Sequence, residues 1–254
     1  DFTNGYVNVE THKGITTIEF FHPQSNSLPH RILDELANEI HDAGADKDTR
    51  VIILKSGGEK AFCAGASFDE LTQINSEKKG FEFFSGFANV INAMRKCPRM
   101  IIGRIHGKCV GGGVGLAAAV DYAIALEGAE IKLSELAIGI GPFVVGPAVQ
   151  RKIGLSAFSQ LAIDSTMWRN SDWARRKGLY SELHSTIESM DESVHRLSNL
   201  LSHSSIDAMS ELKKVLWQGT ENWDELLFQR AEISGRLVLS TFTKDAITKF
   251  RMKA

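Results

Sequence analysis

The chain has 254 residues, 29 Lys and Arg against 31 Asp and Glu, and a formal net charge of −2. That balance excludes a nucleic-acid binder driven by bulk charge, and 43% hydrophobic with 24% charged residues excludes a disordered chain. No uninterrupted apolar run is long enough for a spanning helix, and the first residues show neither a basic n-region nor an apolar h-region, so neither a membrane anchor nor a leader is expected in them. Cys63, Cys97 and Cys109 are odd in number and form no Cys-x-x-Cys pair; buried free thiols and a reducing, cytoplasmic compartment are expected.

In chain order, the first half alternates strand and helix patterns. Tyr6 to Glu10 and Gly14 to Phe20 read as a hairpin around Lys13-Gly14. Ile32, Leu33, Leu36, Ala37 and Ile40 form a helical stripe behind Pro29. Val51 to Leu54 reads as a strand covered on both faces. Phe81 to Met94 reads as a helix stopped before Pro98, Met100 to Ile105 as a strand, Leu116 to Ala119 as a short helix and Tyr122 to Leu126 as a further strand. From Ser156 onward helical patterns dominate: Ala157 to Ile163, Asp172 to Lys177, Ser193 to Leu201, Ile206 to Trp217, Trp223 to Leu239, and Lys244 to the end. The expected organisation is a β/α core over 1–195 and a helical region over 196–254.

Two glycine-bearing loops stand out. Gly111-Gly112-Gly113-Val114-Gly115 follows the strand ending near Ile105, and Phe62-Cys63-Ala64-Gly65-Ala66-Ser67 follows the Val51 to Leu54 strand. Glycines let backbone approach a ligand closely, and amides opening a helix favour negative charge. Two N–H donors from two such loops can clamp one carbonyl oxygen; losing one donor typically costs about 2.7–4 kcal/mol of barrier. Gly113-x-Gly115-x-x-Ala118 also fits a dinucleotide fingerprint, with Glu135 near the ribose-acid spacing. The helix before Asp121 is too short for that crossover, so a nicotinamide oxidoreductase is the less favoured alternative. No Gly-Lys-Ser/Thr phosphate loop, no Gly-x-Ser-x-Gly elbow and no metal-ligand spacing of histidines occurs.

Taken together, His22-Pro23 to Asn26-Ser27-Leu28, Lys60-Ala61-Phe62-Cys63-Ala64-Gly65-Ala66, His106-Gly107-Lys108-Cys109-Val110-Gly111-Gly112-Gly113, Asp121, and Ser134-Glu135-Leu136-x-Ile138-Gly139 resemble the crotonase (enoyl-CoA hydratase/isomerase) superfamily in order and spacing. The resemblance implies an α/β fold, the ClpP/crotonase spiral of ββα units with a helical C-terminal region serving trimerisation and lidding the coenzyme, assembled as a homotrimer or a dimer of trimers. It implies an acyl-CoA thioester as ligand and no separate cofactor, metal, nucleic acid or membrane, coenzyme A being part of the substrate. Carried over by residue, the Ala66 and Gly112 amides would hold the thioester oxygen while Glu135 moves a proton at the α-carbon. Gln24, Asn26, Leu28, Ala64, Gly65 and Gly111 would bind substrate or coenzyme. Phe143, with Val144, would shape the acyl pocket, and Lys253, with Phe242 or Phe250, would reach the coenzyme from the last helix.

The departures from the family pattern matter as much. Where hydratases of the family carry a second glutamate, this chain has Gly115; the usual Asp after Ala-Gly-Ala is Ser67; and Gly141-Pro142-Phe143-Val144-Val145-Gly146-Pro147 replaces a glycine-rich stretch. A single carboxylate suits a shuttle that converts a 3-enoyl thioester to the 2-enoyl isomer. Hydration stays open, with Asp69 and Glu70 as candidate replacements for the missing acid. The loss at Gly115 also keeps open a non-catalytic acyl-CoA-binding member of the same fold.

Overall fold

A computed structural model describes residues 4–253. The elements, in order, are β1 (Tyr6–His12), β2 (Ile15–Phe21), β3 (Ser27–Leu28), α1 (His30–Ala45), β4 (Val51–Ser56), β5 (Ala61–Cys63), β6 (Gly65–Ala66), α2 (Phe68–Leu71), α3 (Glu77–Lys96), β7 (Met100–Ile105), β8 (Lys108–Val110), α4 (Gly112–Ala119), β9 (Tyr122–Leu126), β10 (Ile131–Lys132), a 3₁₀ turn (Glu135–Ile138), α5 (Gly146–Ile163), α6 (Ser171–Lys177), β11 (Glu182–His184), α7 (Ile187–Ser202), α8 (Ile206–Leu216), α9 (Trp223–Leu237) and α10 (Thr241–Lys253).

The strands reveal the repeat. A six-stranded sheet runs β1-β2-β4-β7-β9-β11, antiparallel between β1 and β2 and parallel at every later step. A smaller parallel sheet runs β10-β8-β5. Each pass of the chain therefore lays one strand on the large sheet (β4, β7, β9) and the next on the small one (β5, β8, β10), in the same spatial order. This is the ββα spiral. The small-sheet strands span only two or three residues each, too short to announce themselves by periodicity.

The sheet is covered on both faces, which explains its continuous apolar runs. On one side Ile18, Ile52, Leu54 and Ile101 join α1, α3 and α4 in the principal core, led by Leu33, Leu36, Ile91 and Leu116. On the other, Val51, Ile102 and Ile124 pack against Met190 and Val194 of α7. Residue 195 falls inside α7, so a division at 195/196 would cut a continuous helix already docked on the sheet. The later helices are equally committed. Trp217 and Trp223 meet edge to face at 5.8 Å in the principal core. Asp121 accepts hydrogen bonds from Ile101 N and Trp217 Nε1, both at 2.8 Å, and pairs with buried Lys213 at 2.9 Å, tying α8 to the sheet. At the α3–α9 crossing, a Cβ on Gly80 would stand 2.6 Å from Gly235 O; only paired glycines allow that approach.

The pattern-based helices all form, with longer N-terminal ends where capping takes over. Ser76 accepts from Lys79 N to open α3, and Thr186 from Ser189 N to open α7. In α5, the expected Ala157 to Ile163 is only the second part of an element interrupted at Gly154, whose φ is 79°. The three cysteines are free and buried. Among the described residues no helix is long and apolar enough to cross a membrane.

Candidate active site

The candidate cleft forms where the small sheet turns into helices. Gly111, at φ 54°, reverses the chain after β8, and α4 starts at Gly112. The first amides of a helix have no acceptor in their own helix, and Gly112 N is among them here. On the facing loop, Ser67 N donates to Leu28 O at 3.0 Å. Ala64 N donates to Asn26 O at 3.3 Å, and Gly65, between Ala64 and Ser67, takes φ 99°. The two loops touch: a Cβ on Gly65 would lie 3.7 Å from Gly112 N and 3.2 Å from Val110 O.

These loops open onto a cavity of about 180 Å³. Its polar rim is Ala64 to Ala66, Gly111, Gly112, Ser134 and Glu135. Beyond the rim the walls are apolar: Phe68 and Leu71 of α2, Phe83, Phe84 and Phe87 of α3, and the segment from Ile138 to Val145. Phe83 and Phe84 stand edge to face at 4.9 Å, and the Phe87 ring occupies the space that a Gly112 side chain would need, 2.3 Å from its Cβ position. Ser234 of α9 completes the lining.

Among the described residues Glu135 is the one titratable side chain in that lining. The 3₁₀ turn presents it: Ile140 N and Gly139 N bond back to the Glu135 and Leu136 carbonyls, and Gly139 closes the turn at φ 81°. One carboxyl oxygen, Oε1, lies 2.9 Å from where a Gly111 Cβ would be, so only glycine at 111 leaves room for it. The other, Oε2, is buried without a hydrogen-bond partner among the described residues. Burial pushes the carboxyl up to about 7, an effect its own backbone amide offsets only in part. A carboxyl that titrates near neutrality beside a cavity is poised to take and return protons.

The Gly115 departure has a structural counterpart. A Cβ there would stand 2.6 Å from Val145 Cγ1 and 3.5 Å from Ile91 Cδ1. The space of a second carboxylate is filled by aliphatic packing. Asp69 and Glu70 do not replace it. Glu70 accepts from His30 N at 2.9 Å, Asp69 accepts from the Gln24 amide at 3.2 Å, and neither lines the cavity.

Of the residues singled out from sequence, Glu135, Ala66, Gly112, Ala64, Gly65, Gly111 and Phe143 converge on this one cavity. Gln24, Asn26, Leu28 and Lys253 do not line it. Asn26 is a buried brace: it takes φ 57°, its Oδ1 accepts from His22 N at 2.8 Å, and its Nδ2 donates to Gly57 O at 2.8 Å and Ala61 O at 2.9 Å. Asparagine suits a left-handed turn that must also staple the β4–β5 connection. Leu28 is wholly buried in the core, Gln24 is exposed, and Lys253 is exposed at the end of α10. Phe250 packs on Phe68 with ring centroids 4.8 Å apart. Of the fingerprint residues, Gly113 is needed for close contact with β5, since a Cβ there would meet Cys63 O at 2.0 Å, and Glu135 lines the cavity with both glycine loops. Sequence reasoning missed the three α3 phenylalanines, Leu71 and Ser234. The phenylalanines carried a detectable signal, since Phe83, Phe84 and Phe87 crowd one helix; Ser234 carried none.

Comparison with known proteins gives the family. Residues 10–252 match the enoyl-CoA hydratase/isomerase family. The chain belongs to that family. A crystal structure of an enoyl-CoA hydratase from Bacillus halodurans superposes with a TM-score of 0.88 at 23% identity, covering 96% of this chain and 99% of that one, which establishes the crotonase fold. A (7aS)-7a-methyl-1,5-dioxo-2,3,5,6,7,7a-hexahydro-1H-indene-carboxyl-CoA hydrolase of Rhodococcus jostii is 33% identical over 123 residues, 48% of this chain and 47% of its own length. The mitochondrial methylglutaconyl-CoA hydratase of Mus musculus is 31% identical over 159 residues, 62% of this chain and 50% of its own length. The chain thus spans about half the length of these curated relatives.

Proposed function

We propose that this acyl-CoA enzyme of the crotonase family acts by stabilising a thioester enolate, with the Ala66 and Gly112 amides on the thioester oxygen and Glu135 as the group that moves the α-proton. The observation that carries the reading is the Glu135 carboxyl itself: buried, unpartnered at Oε2, pushed to about 7, and at the rim that the two glycine loops share. Loss of a proton from C2 sends the electron pair onto the thioester oxygen, where two amides can meet the growing charge. The packed space beside Gly115 and the engagement of Asp69 and Glu70 elsewhere favour a single carboxylate that removes a proton at C2 and returns it at C4. The product of that shuttle is the conjugated 2-enoyl thioester.

Exchange of α-protons of butanoyl-CoA in heavy water, followed by NMR, tests the enolate directly. The expected result is exchange in the native protein and a loss of at least about 100-fold in Glu135→Gln, within the general acid–base range. Full exchange in the variant overturns the role of Glu135. Binding of butanoyl-CoA with no exchange in either protein overturns catalysis and favours a non-catalytic binder. Parallel assays on 3-hexenoyl-CoA and crotonyl-CoA separate isomerisation from hydration.

A further inference from the structure

Besides Ser134 and Glu135 at the polar rim, the lining carries one further polar side chain, on α9. Ser234 is 1% exposed, lines the cavity, and makes no side-chain hydrogen bond among the described residues. Other helical serines of the chain do bond locally. Ser85 donates to Phe81 O at 2.6 Å and Ser159 to Leu155 O at 2.7 Å, each satisfying its hydroxyl on the preceding turn. Ser234 leaves that option unused. The Gly80–Gly235 crossing presses this turn of α9 against α3 and so brings position 234 to the cavity wall.

Size and charge narrow what can lie beside it. A cavity near 150 Å³ accommodates benzene, so about 180 Å³ takes roughly six or seven non-hydrogen atoms. Among the described residues no lysine, arginine or histidine lines it, and its one carboxyl is Glu135. An acyl group ending in a carboxylate would meet no cation in the lining, the Arg230 guanidinium being held on Phe143 O at 3.5 Å, and would be repelled by that neighbour. A hydrocarbon acyl group would enter but would strip water from the Ser234 hydroxyl and give nothing back. A short, uncharged acyl group with one oxygen function satisfies all three constraints.

The geometry points to Ser234 as a specificity-determining residue that hydrogen-bonds a hydroxyl or keto oxygen on a short, uncharged acyl chain of the thioester substrate. This deepens the acyl-CoA reading above and rests on it.

The test is calorimetric titration of two isosteric pairs: 3-methylbutanoyl-CoA with 3-hydroxybutanoyl-CoA, and 4-methylpentanoyl-CoA with 4-oxopentanoyl-CoA. Native protein and Ser234→Ala are compared, and glutaryl-CoA serves as the charged probe. In the native protein the oxygen-bearing member of at least one pair binds about threefold to tenfold more tightly, that advantage disappears in Ser234→Ala, and glutaryl-CoA binds at least tenfold more weakly than either uncharged pair. The inference is overturned if both hydrocarbon members bind as tightly as their partners, if the advantage survives in Ser234→Ala, or if glutaryl-CoA binds best. A protein that binds none of the five thioesters instead overturns the acyl-CoA reading on which the inference stands. Circular dichroism of Ser234→Ala, with calorimetry of coenzyme A alone, separates a misfolded variant from a lost contact; if the alanine variant misfolds, Ser234→Cys keeps the side-chain size while weakening the hydrogen bond and must narrow the same ratio.

Discussion

Replacing Glu135 by Gln tests the desolvation that underlies the proposed chemistry, and it does so without any substrate. The carboxyl's folded value is raised from 4.5 to about 7 by burial. Between these values the unfolded chain has released the proton while the folded chain still holds it, so stability falls as pH rises through that window and is level on either side. Every tenfold change in proton affinity is worth about 1.36 kcal/mol, which puts the cost of the ionised form at about 3 kcal/mol above pH 7. Gln keeps the shape and cannot ionise. Any cost of its buried amide is the same at every pH, so the informative quantity is the native-minus-variant difference at pH 8 compared with pH 4.5. Urea unfolding at both pH values reads it. The variant should gain about 3 kcal/mol relative to the native protein on going from pH 4.5 to pH 8, while His106 and every other titrating group cancels in the comparison. A difference that does not change with pH would mean that the carboxyl is solvated, and the neutral-pH base would go with it.

Four further outcomes follow from the same contacts. The rate of α-proton exchange should rise with pH through about 7 and level off above it, because only the ionised Glu135 can accept the proton. Gly115→Glu should not install a working hydratase acid: the new side chain starts 2.6 Å from Val145 Cγ1, so thermal melting should show a loss of about 1–3 kcal/mol or more and no gain in crotonyl-CoA hydration. His106, buried with neither ring nitrogen bonded among the described residues, is pushed down to about 4, chiefly by burial. The unfolded chain therefore takes up this proton first as pH falls from 6.5 toward 4, and His106→Gln should remove up to about 3 kcal/mol of acid sensitivity in denaturation at pH 7 and pH 4. Asn26→Ala removes the bonds to His22 N, Gly57 O and Ala61 O and should lower stability by about 3 kcal/mol, close to 10 °C in melting temperature.

What could be seen in the residues beforehand follows element length and the range of the contacts. Tyr122–Leu126 and Met100–Ile105 are long enough to show an apolar run, and their sequence bounds match the structure. Ala61–Cys63 and Ile131–Lys132 are strands only because a neighbour pairs with them. The two glycine loops stood out locally, but the parts given to Ala66, Gly112 and Glu135 came from the resemblance; the structure adds that all three line one cavity. Asn26 was legible as a motif but not as a brace, since its partners Gly57 and Ala61 lie on another turn of the spiral. Gln24 and Lys253 were named by resemblance alone, and the cavity is built without them. Ser234 was invisible because a serine in a helix is ordinary, and only the α3–α9 crossing gives this one its surroundings.

That crossing also divides labour within the protein. Glu135 and the two glycine loops belong to the spiral, whereas Ser234 reaches the same cavity from α9, supplied from much later in the chain. If the proposed chemistry holds, substitutions on α9 would alter the cavity wall without touching Glu135 or the glycine loops. A lineage can change its diet by redecorating one wall of the room.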